Sequence, residues 1–409
     1  MKMISTLLNI TSKAFVCSLF LIIQNCTYSN DGQPKIQPLT EHWEKPIPHQ
    51  TIPAGLNSIS AKECGVCHQE IYKEWKDSFH AIALQDPQFQ GEWKRDGNLW
   101  VCINCHTPLQ DQQEFIILGK EDGDYYKPVQ KSNPNFDPNL KEESITCAAC
   151  HVRDGAVIGL RGDTMAPHAV KIDPEFLSRQ YCLTCHNVTD ELTPSLVCSF
   201  QTGDEWAAGP YPERGRDCIS CHMPEVYRSL TGYTQARWTR RHTWIGSAIP
   251  KFMGQGKIVS GYKRGMEIDI QSSQKSLTSG DSTFVTITVT NQNAGHYLPT
   301  GDPEYFITLD LSLENDEGRV IADTTYRIGQ LWKWWPKAEK VFDNRLRPLE
   351  KRNYLFSFTV PKNGGDRTFK VIITNHRLTE ENAKATNIFG IAPLNAVVFE
   401  KEIVFENPE

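Results

Sequence analysis

The pattern Cys-x-x-Cys-His occurs five times in this chain, at Cys64–His68, Cys102–His106, Cys147–His151, Cys182–His186 and Cys218–His222. With 13 Cys and 12 His in 409 residues, random placement would produce it roughly 0.01 times. Two thiols one short loop apart match the two vinyl groups of a single porphyrin, and the imidazole that follows falls beneath the iron. The sulfurs of Cys64, Cys67, Cys102, Cys105, Cys147, Cys150, Cys182, Cys185, Cys218 and Cys221 therefore read as attachment points for five covalent haem c groups. His68, His106, His151, His186 and His222 become their proximal ligands. Zinc clusters and disulfides also use cysteine pairs, but neither calls for a histidine after every second cysteine.

This spacing limits the fold. The first cysteines of successive motifs lie only some 35 to 45 residues apart, too little chain to build a separate core around each macrocycle. The porphyrins must be the interior, wrapped by short helices and loops over residues 58–262. Within that span Ile71, Trp75, Phe79 and Ile82 form one helical stripe, predicting a helix from Gln69 to Leu84 that carries His80 and stops before Pro87. Residues 31–57, rich in Pro and polar side chains, read as an extended arm.

From Met266 the period changes to two. Val285, Ile287 and Val289 alternate with threonines, and Ile307, Leu309, Leu311 and Leu313 with polar residues. Tyr354, Phe356, Phe358 and Val360, then Phe369, Val371 and Ile373, then Val397, Phe399, Ile403 and Phe405 repeat the pattern. One apolar face per strand implies two packed sheets. The expected architecture is α+β and multidomain: an irregular, mainly helical haem domain, followed over residues 263–409 by an immunoglobulin-like β-sandwich without its disulfide.

Residues 1–30 read as a signal peptide, with Lys2 and Lys13 before a short apolar run from Ala14 to Ile23. Cys26 follows where a lipoprotein cysteine would stand, while Thr27 and Ser29 suit ordinary cleavage. Either route leads to the periplasm, outer membrane or cell surface, where covalent haem attachment is chemically at home. A formal charge of −6, made more negative by haem propionates, excludes nucleic acid as the expected partner. Cys198 stands alone and is assigned no role.

Seven histidines remain: His42, His49, His80, His168, His242, His296 and His376. A second imidazole closes a haem to substrates and leaves it suited to electron exchange, whereas an open sixth position permits chemistry. His80 lies too far along its predicted helix to face His68 across one iron, so it is expected to serve a neighbouring haem. His168 follows Pro167, and His242 follows the basic run from Arg237 to Arg241. His296 sits in a Gly- and Pro-shaped loop after a strand and would tie the two domains together. His49, in the arm, is the choice for the fifth partner; His376 reads as structural.

The run Cys64-Gly-Val-Cys67-His68 with Trp75 and Ser78-Phe-His80, and the later Asp217-Cys-Ile-Ser-Cys221-His222-Met-Pro224, resemble multihaem c-type cytochromes. The most similar class is the tetrahaem carrier that accepts electrons from hydroxylamine oxidoreductase. The loop ending Gly-His-Tyr-Leu-Pro-Thr-Gly301, with Asp343, Arg345 and Pro348, resembles a β-domain appended to some of these proteins. The resemblance implies a stacked haem array in tunnelling contact. This chain departs from the carrier in having five motifs, and from the pentahaem nitrite reductases in having no Lys as proximal ligand. The expected function is extracytoplasmic electron transfer between redox proteins or quinol-linked donors and acceptors. The alternatives are a reductase of a small nitrogen or sulfur oxyanion at one open haem, and a self-assembling subunit of a conducting filament.

Overall fold

The computed structural model of the chain describes residues 34–162, 165–255, 264–273, 280–360 and 365–405. The expected leader, with Cys26, lies outside them. No helix among the described residues is long and apolar enough to cross a membrane.

The first half opens with helices α1 (Ala61–Cys67), α2 (Gln69–Lys76), α3 (Pro87–Arg95) and α4 (Trp100–His106). Further motif helices run Cys147–His151, Arg179–His186 and Cys218–His222. Helical backbone puts residues three and four apart on one face, so both cysteines and the histidine of a motif point the same way. Local capping starts these short helices: the Ser60 hydroxyl accepts from the Glu63 amide at 3.2 Å, and the Asp217 carboxylate from the Ser220 amide at 2.9 Å.

The structure corrects two expectations for this half. The helix predicted to reach Leu84 ends at Lys76. Beyond it the Phe79 amide donates to Trp244 O at 3.3 Å and the Ile145 amide to His80 O at 3.1 Å, so partners distant in sequence replace the helical ladder. Strands also accompany the helices of this region, where only loops were expected. Antiparallel hairpins pair Phe115–Glu121 with Pro128–Ser132, Asn187–Thr193 with Leu196–Gln201, and Glu225–Arg228 with Arg237–Arg240. Two tight turns in this half are Asp-Gly pairs with both φ angles positive, 51° and 81° at Asp122-Gly123 and 52° and 72° at Asp154-Gly155. This backbone suits the twist of paired strands.

The described part of the arm is docked on the segments that follow it. Ile36–Gln37 pairs with Lys120 and Glu121. Trp43 packs with Leu99, Trp100 and Tyr125, while the buried Glu44 carboxylate meets Lys120 and accepts from the Tyr125 hydroxyl at 3.0 Å.

Between Met266 and Phe405 the described strands form two antiparallel sheets. One orders the strands Met266–Ser272, Ser282–Asn291 and Lys351–Thr359. The other orders Glu339–Asp343, Val320–Lys333, Phe306–Glu314, Arg367–His376 and Asn395–Phe405. Their inward side chains meet in one core, with Val285, Ile287, Leu309, Leu311, Phe369 and Val371 at 0–1% exposure. Val397 departs from the predicted alternation and is 47% exposed. The register slips opposite Ile373 and Thr374, so that Phe399 and Val397 are their partners and Val398 turns inward instead.

Helix α3 joins the two halves. Its Gly91 lies so close to the second half that a Cβ there would stand 2.6 Å from Thr386 O and 2.7 Å from Ile388 Cγ2. Beside it the almost fully buried Arg377 donates to Asp86 at 3.2 Å and to Pro250 O at 2.9 Å, and Lys251 also binds Asp86.

Phe369→Ala should cost about 3–5 kcal/mol, because it removes a ring packed on Phe356 at the centre of the sheet pair. Chemical denaturation followed by circular dichroism in the β-sheet region measures this. Gly91→Ala should weaken the junction without disturbing either core, detected as faster proteolysis between the halves.

Candidate haem site

A cavity of about 3560 Å³ runs through the first half and up to the second. The histidines of four motifs line it, together with His80, His168, His242 and His296. Three of these meet motif histidines across the cavity: His80 and His186 with ring centroids 6.3 Å apart, His151 and His242 at 6.3 Å, and His222 and His296 at 6.2 Å. Two imidazole nitrogens each about 2 Å from one metal ion would require this separation of ring centres. His168 stands near enough to His68 for its charge to act on that ring. Among the described residues no three or more His, Cys, Asp or Glu converge as in a protein-only metal cluster. Paired imidazoles are what a porphyrin, supplying the other four ligands itself, would need.

The rings are also prepared for one tautomer. The Nδ1 atoms of His68, His106, His151, His242 and His296 face the main-chain carbonyls of Leu230, Ala83, Ile158, Arg240 and Tyr297 at 2.7 to 3.1 Å. A proton held there leaves Nε2 bare and aimed inward. Burial favours the neutral ring: it pushes His80 down to about 3, and His106, His222 and His242 to about 4. The imidazoles therefore offer lone pairs throughout the physiological range.

Cysteines of different motifs approach one another. The sulfur of Cys64 lies beside that of Cys147, Cys105 beside Cys185, and Cys182 beside Cys218. Motif one thus adjoins motif three, while motif four adjoins both two and five.

His106 differs from the other motif histidines. No second imidazole is brought to it among the described residues; its ring is stacked at 3.5 Å and 11° on Phe89 of α3. His49 is not delivered to any motif. It is half exposed and its Nδ1 is bound to Asp111, whose other oxygen takes the Gln50 amide at 3.0 Å. The arm turns there to hold itself on the segment after α4, which leaves His49 engaged elsewhere. His376 stacks on Phe306 at 4.3 Å and bonds Thr308.

Sequence reasoning missed the residues that hold the His296 loop. Glu205, on the helix Thr202–Ala207, accepts from the Thr300 hydroxyl at 2.6 Å and the Tyr297 amide at 3.2 Å. Arg345 binds Glu205 and forks onto Asp343 at 2.9 and 3.0 Å. The motif Asp343-Asn-Arg345 was visible in the sequence, but its acidic partner lies 140 residues away.

Residues 63–152, which contain the first three motifs and His80, match the family model for cytochrome c554 and c-prime. The fold is similar to that of a penta-haem cytochrome c552 from Thermochromatium tepidum, at 17% identity and a TM-score of 0.60, covering 86% of this chain and 100% of that one. The CARDB domain of a Pyrococcus furiosus protein aligns with 35% of this chain and 87% of its own at 11% identity and a TM-score of 0.19. No curated protein gives a match. Motifs and fold alike thus resemble those of multihaem c-type cytochromes.

Arg345→Met should destabilise the folded protein by roughly 3–5 kcal/mol, because it strands the buried Glu205 carboxylate. Glu205→Gln, which keeps an acceptor for Thr300 and Tyr297, should cost less. Thermal denaturation of the two variants side by side tests the order.

Proposed function

We propose that this protein relays single electrons outside the cytoplasm along five covalently attached haems. Four have two imidazole ligands: His68 with His168, His151 with His242, His186 with His80, and His222 with His296. The observation that carries this reading is the separation of 6.2 to 6.3 Å in three of those pairs. When bound, each haem supplies one-electron exchange at its iron. The chain's own residues do the rest. Two imidazoles at one iron would keep substrates away, main-chain bonds at Nδ1 hold the rings of His68, His151, His242 and His296 in place, and burial favours the neutral form of His80, His222 and His242. Contacts between cysteines of motifs one and three, two and four, and four and five support an array close enough for electrons to pass among all five.

We read residues 266–405 as an immunoglobulin-like sandwich that contributes His296 and closes one end of the array. Export, with or without a lipid on Cys26, puts the protein in the periplasm or on the outer membrane. There it exchanges electrons with redox proteins or quinol-linked enzymes.

His106 favours a second reading for one site. A haem held by Cys102, Cys105 and His106 would meet no second imidazole among the described residues and could take a small nitrogen or sulfur oxyanion.

Mass measurement of the mature protein should give the polypeptide plus five haems. Paramagnetic resonance of the oxidised protein should count four low-spin centres and one high-spin centre, the latter perturbed by nitrite or cyanide. His296→Ala should convert one low-spin centre to high-spin, and an unchanged spectrum would reject that ligand. Five low-spin centres in the wild type would remove the second reading.

A further inference from the structure

One turn along α3 from Phe89 lies a carboxylate, Glu92, that neither fold nor haem attachment requires. The amide of Gln88, one turn earlier, donates to Glu92 Oε1 at 3.0 Å and also to Asp302 Oδ2 at 3.2 Å, so one amide spans two carboxylates from the two halves of the protein. Among the described residues no Lys or Arg nitrogen lies within ion-pair distance of either. The neighbouring cations are committed elsewhere: Lys251 and Arg377 to Asp86, and Arg95 to Asp96. The remaining groups that face the pair do not neutralise it. Glu304 and Tyr305 follow on the Asp302 loop, Asp86 precedes α3, and Arg327 lies on the side of Glu304.

A second observation marks the place. Gln88 is 3% exposed, and its Oε1 is buried with no donor. A bare pair of carboxylates can give it none, whereas a protonated carboxyl carries an O–H. Glu92 is also near the second motif, since its charge acts on the Cys102 sulfur.

We infer that Glu92 and Asp302 form a shared proton site for the haem at Cys102–His106, loading a proton when that haem is reduced and releasing it on oxidation. The inference rests on the proposed haem at that motif. As one electron arrives from a neighbouring haem, itself supplied by an external one-electron donor, the local charge falls by one. An O–H bond then forms between the pair and a proton from solvent. On oxidation that bond breaks, and the proton returns to solvent as the electron leaves. Two carboxylates bridged by one amide resist being charged together, so a single proton is the unit exchanged. Burial, followed by the charge of Glu304, pushes Asp302 up to about 7, and burial with the charge of Asp302 raises Glu92 well above the carboxylate range. Exchange is therefore expected around neutral pH. The sign follows from charge: the oxidised centre, more positive, favours the bare carboxylate, and the reduced centre favours the acid.

The test is spectroelectrochemical titration of the holoprotein with soluble mediators from pH 5.5 to 9. One of the five midpoints should fall by as much as 59 mV per pH unit near neutrality, the tenfold change expected for one proton per electron. That slope should flatten in Asp302→Asn and in Glu92→Gln, with the other midpoints unmoved. Reduced-minus-oxidised infrared spectra of the wild type, which need no variant to fold, should gain a protonated-carboxyl band. Five pH-independent midpoints, a slope kept in both variants, or no such band overturns the inference while leaving the haem reading intact. Peptide mass showing no haem on Cys102 and Cys105 overturns both.

Discussion

A buried imidazole whose Nδ1 is tied to a main-chain carbonyl can turn only its Nε2 lone pair inward, and this constraint organises the molecule. Five motif and partner rings make such a bond at 2.7 to 3.1 Å. The carbonyls come from different places: the turn after α2, the hairpins near Ile158 and Arg240, the loop at Leu230, and Tyr297 in the second half. The motif rings of His68, His106 and His151 are thus oriented by chain that packs over them rather than by their own helices. Short helices suffice, because their task is to aim two sulfurs and one ring to the same side.

The second half then serves the first. Its sheets close around their own core, and the rigid strand end at Asn291 launches the loop that carries His296. Asn291 holds that loop from inside, its amide donating to His296 O at 2.8 Å and Leu346 O at 3.1 Å. Glu205 holds it from the haem side, with Arg345 and Asp343 behind. Buried ionic contacts of this kind add little net stability, but each is expensive to break singly. They therefore fix where the halves meet, and the 6.2 Å distance from His222 to His296 depends on that register.

The legible parts of the sequence were those with a local cause. Five motifs announced themselves, and the alternation at Val285–Val289, Ile307–Leu313 and Tyr354–Val360 marked strands whose inward faces are buried in the structure. His80, His242 and His296 could be singled out as spare imidazoles, but their pairing was not readable. The structure brings His80 to His186 although helix geometry said only that it could not face His68. What failed had long-range causes. α2 stops because Phe79 and His80 bond to residues 244 and 145, and His49 is captured by Asp111. The hairpins of the first half were a different failure. Asp122-Gly123 and Asp154-Gly155 were adequate turn signals, outweighed by the assumption that covalent cofactors displace regular pairing.

In the proposed haem array the cysteine contacts define a shape that bears on its use. Motif one meets three, motif four meets two and five, and Cys150 of motif three lies within the electrostatic reach of Cys185 in motif four. A path from motif one through three and four to five uses only the imidazole-paired positions. Motif two branches from it at Cys105–Cys185, and it is at this branch that the second imidazole is missing and the uncompensated carboxylates gather. A through-route favours ligation that barely changes with oxidation state. A side position can instead couple the electron to something else, a proton or a small ligand, without obstructing the route. The distribution of side chains follows that division: rings closed by rings along the path, and at the branch an aromatic stack with Glu92 and Asp302 nearby.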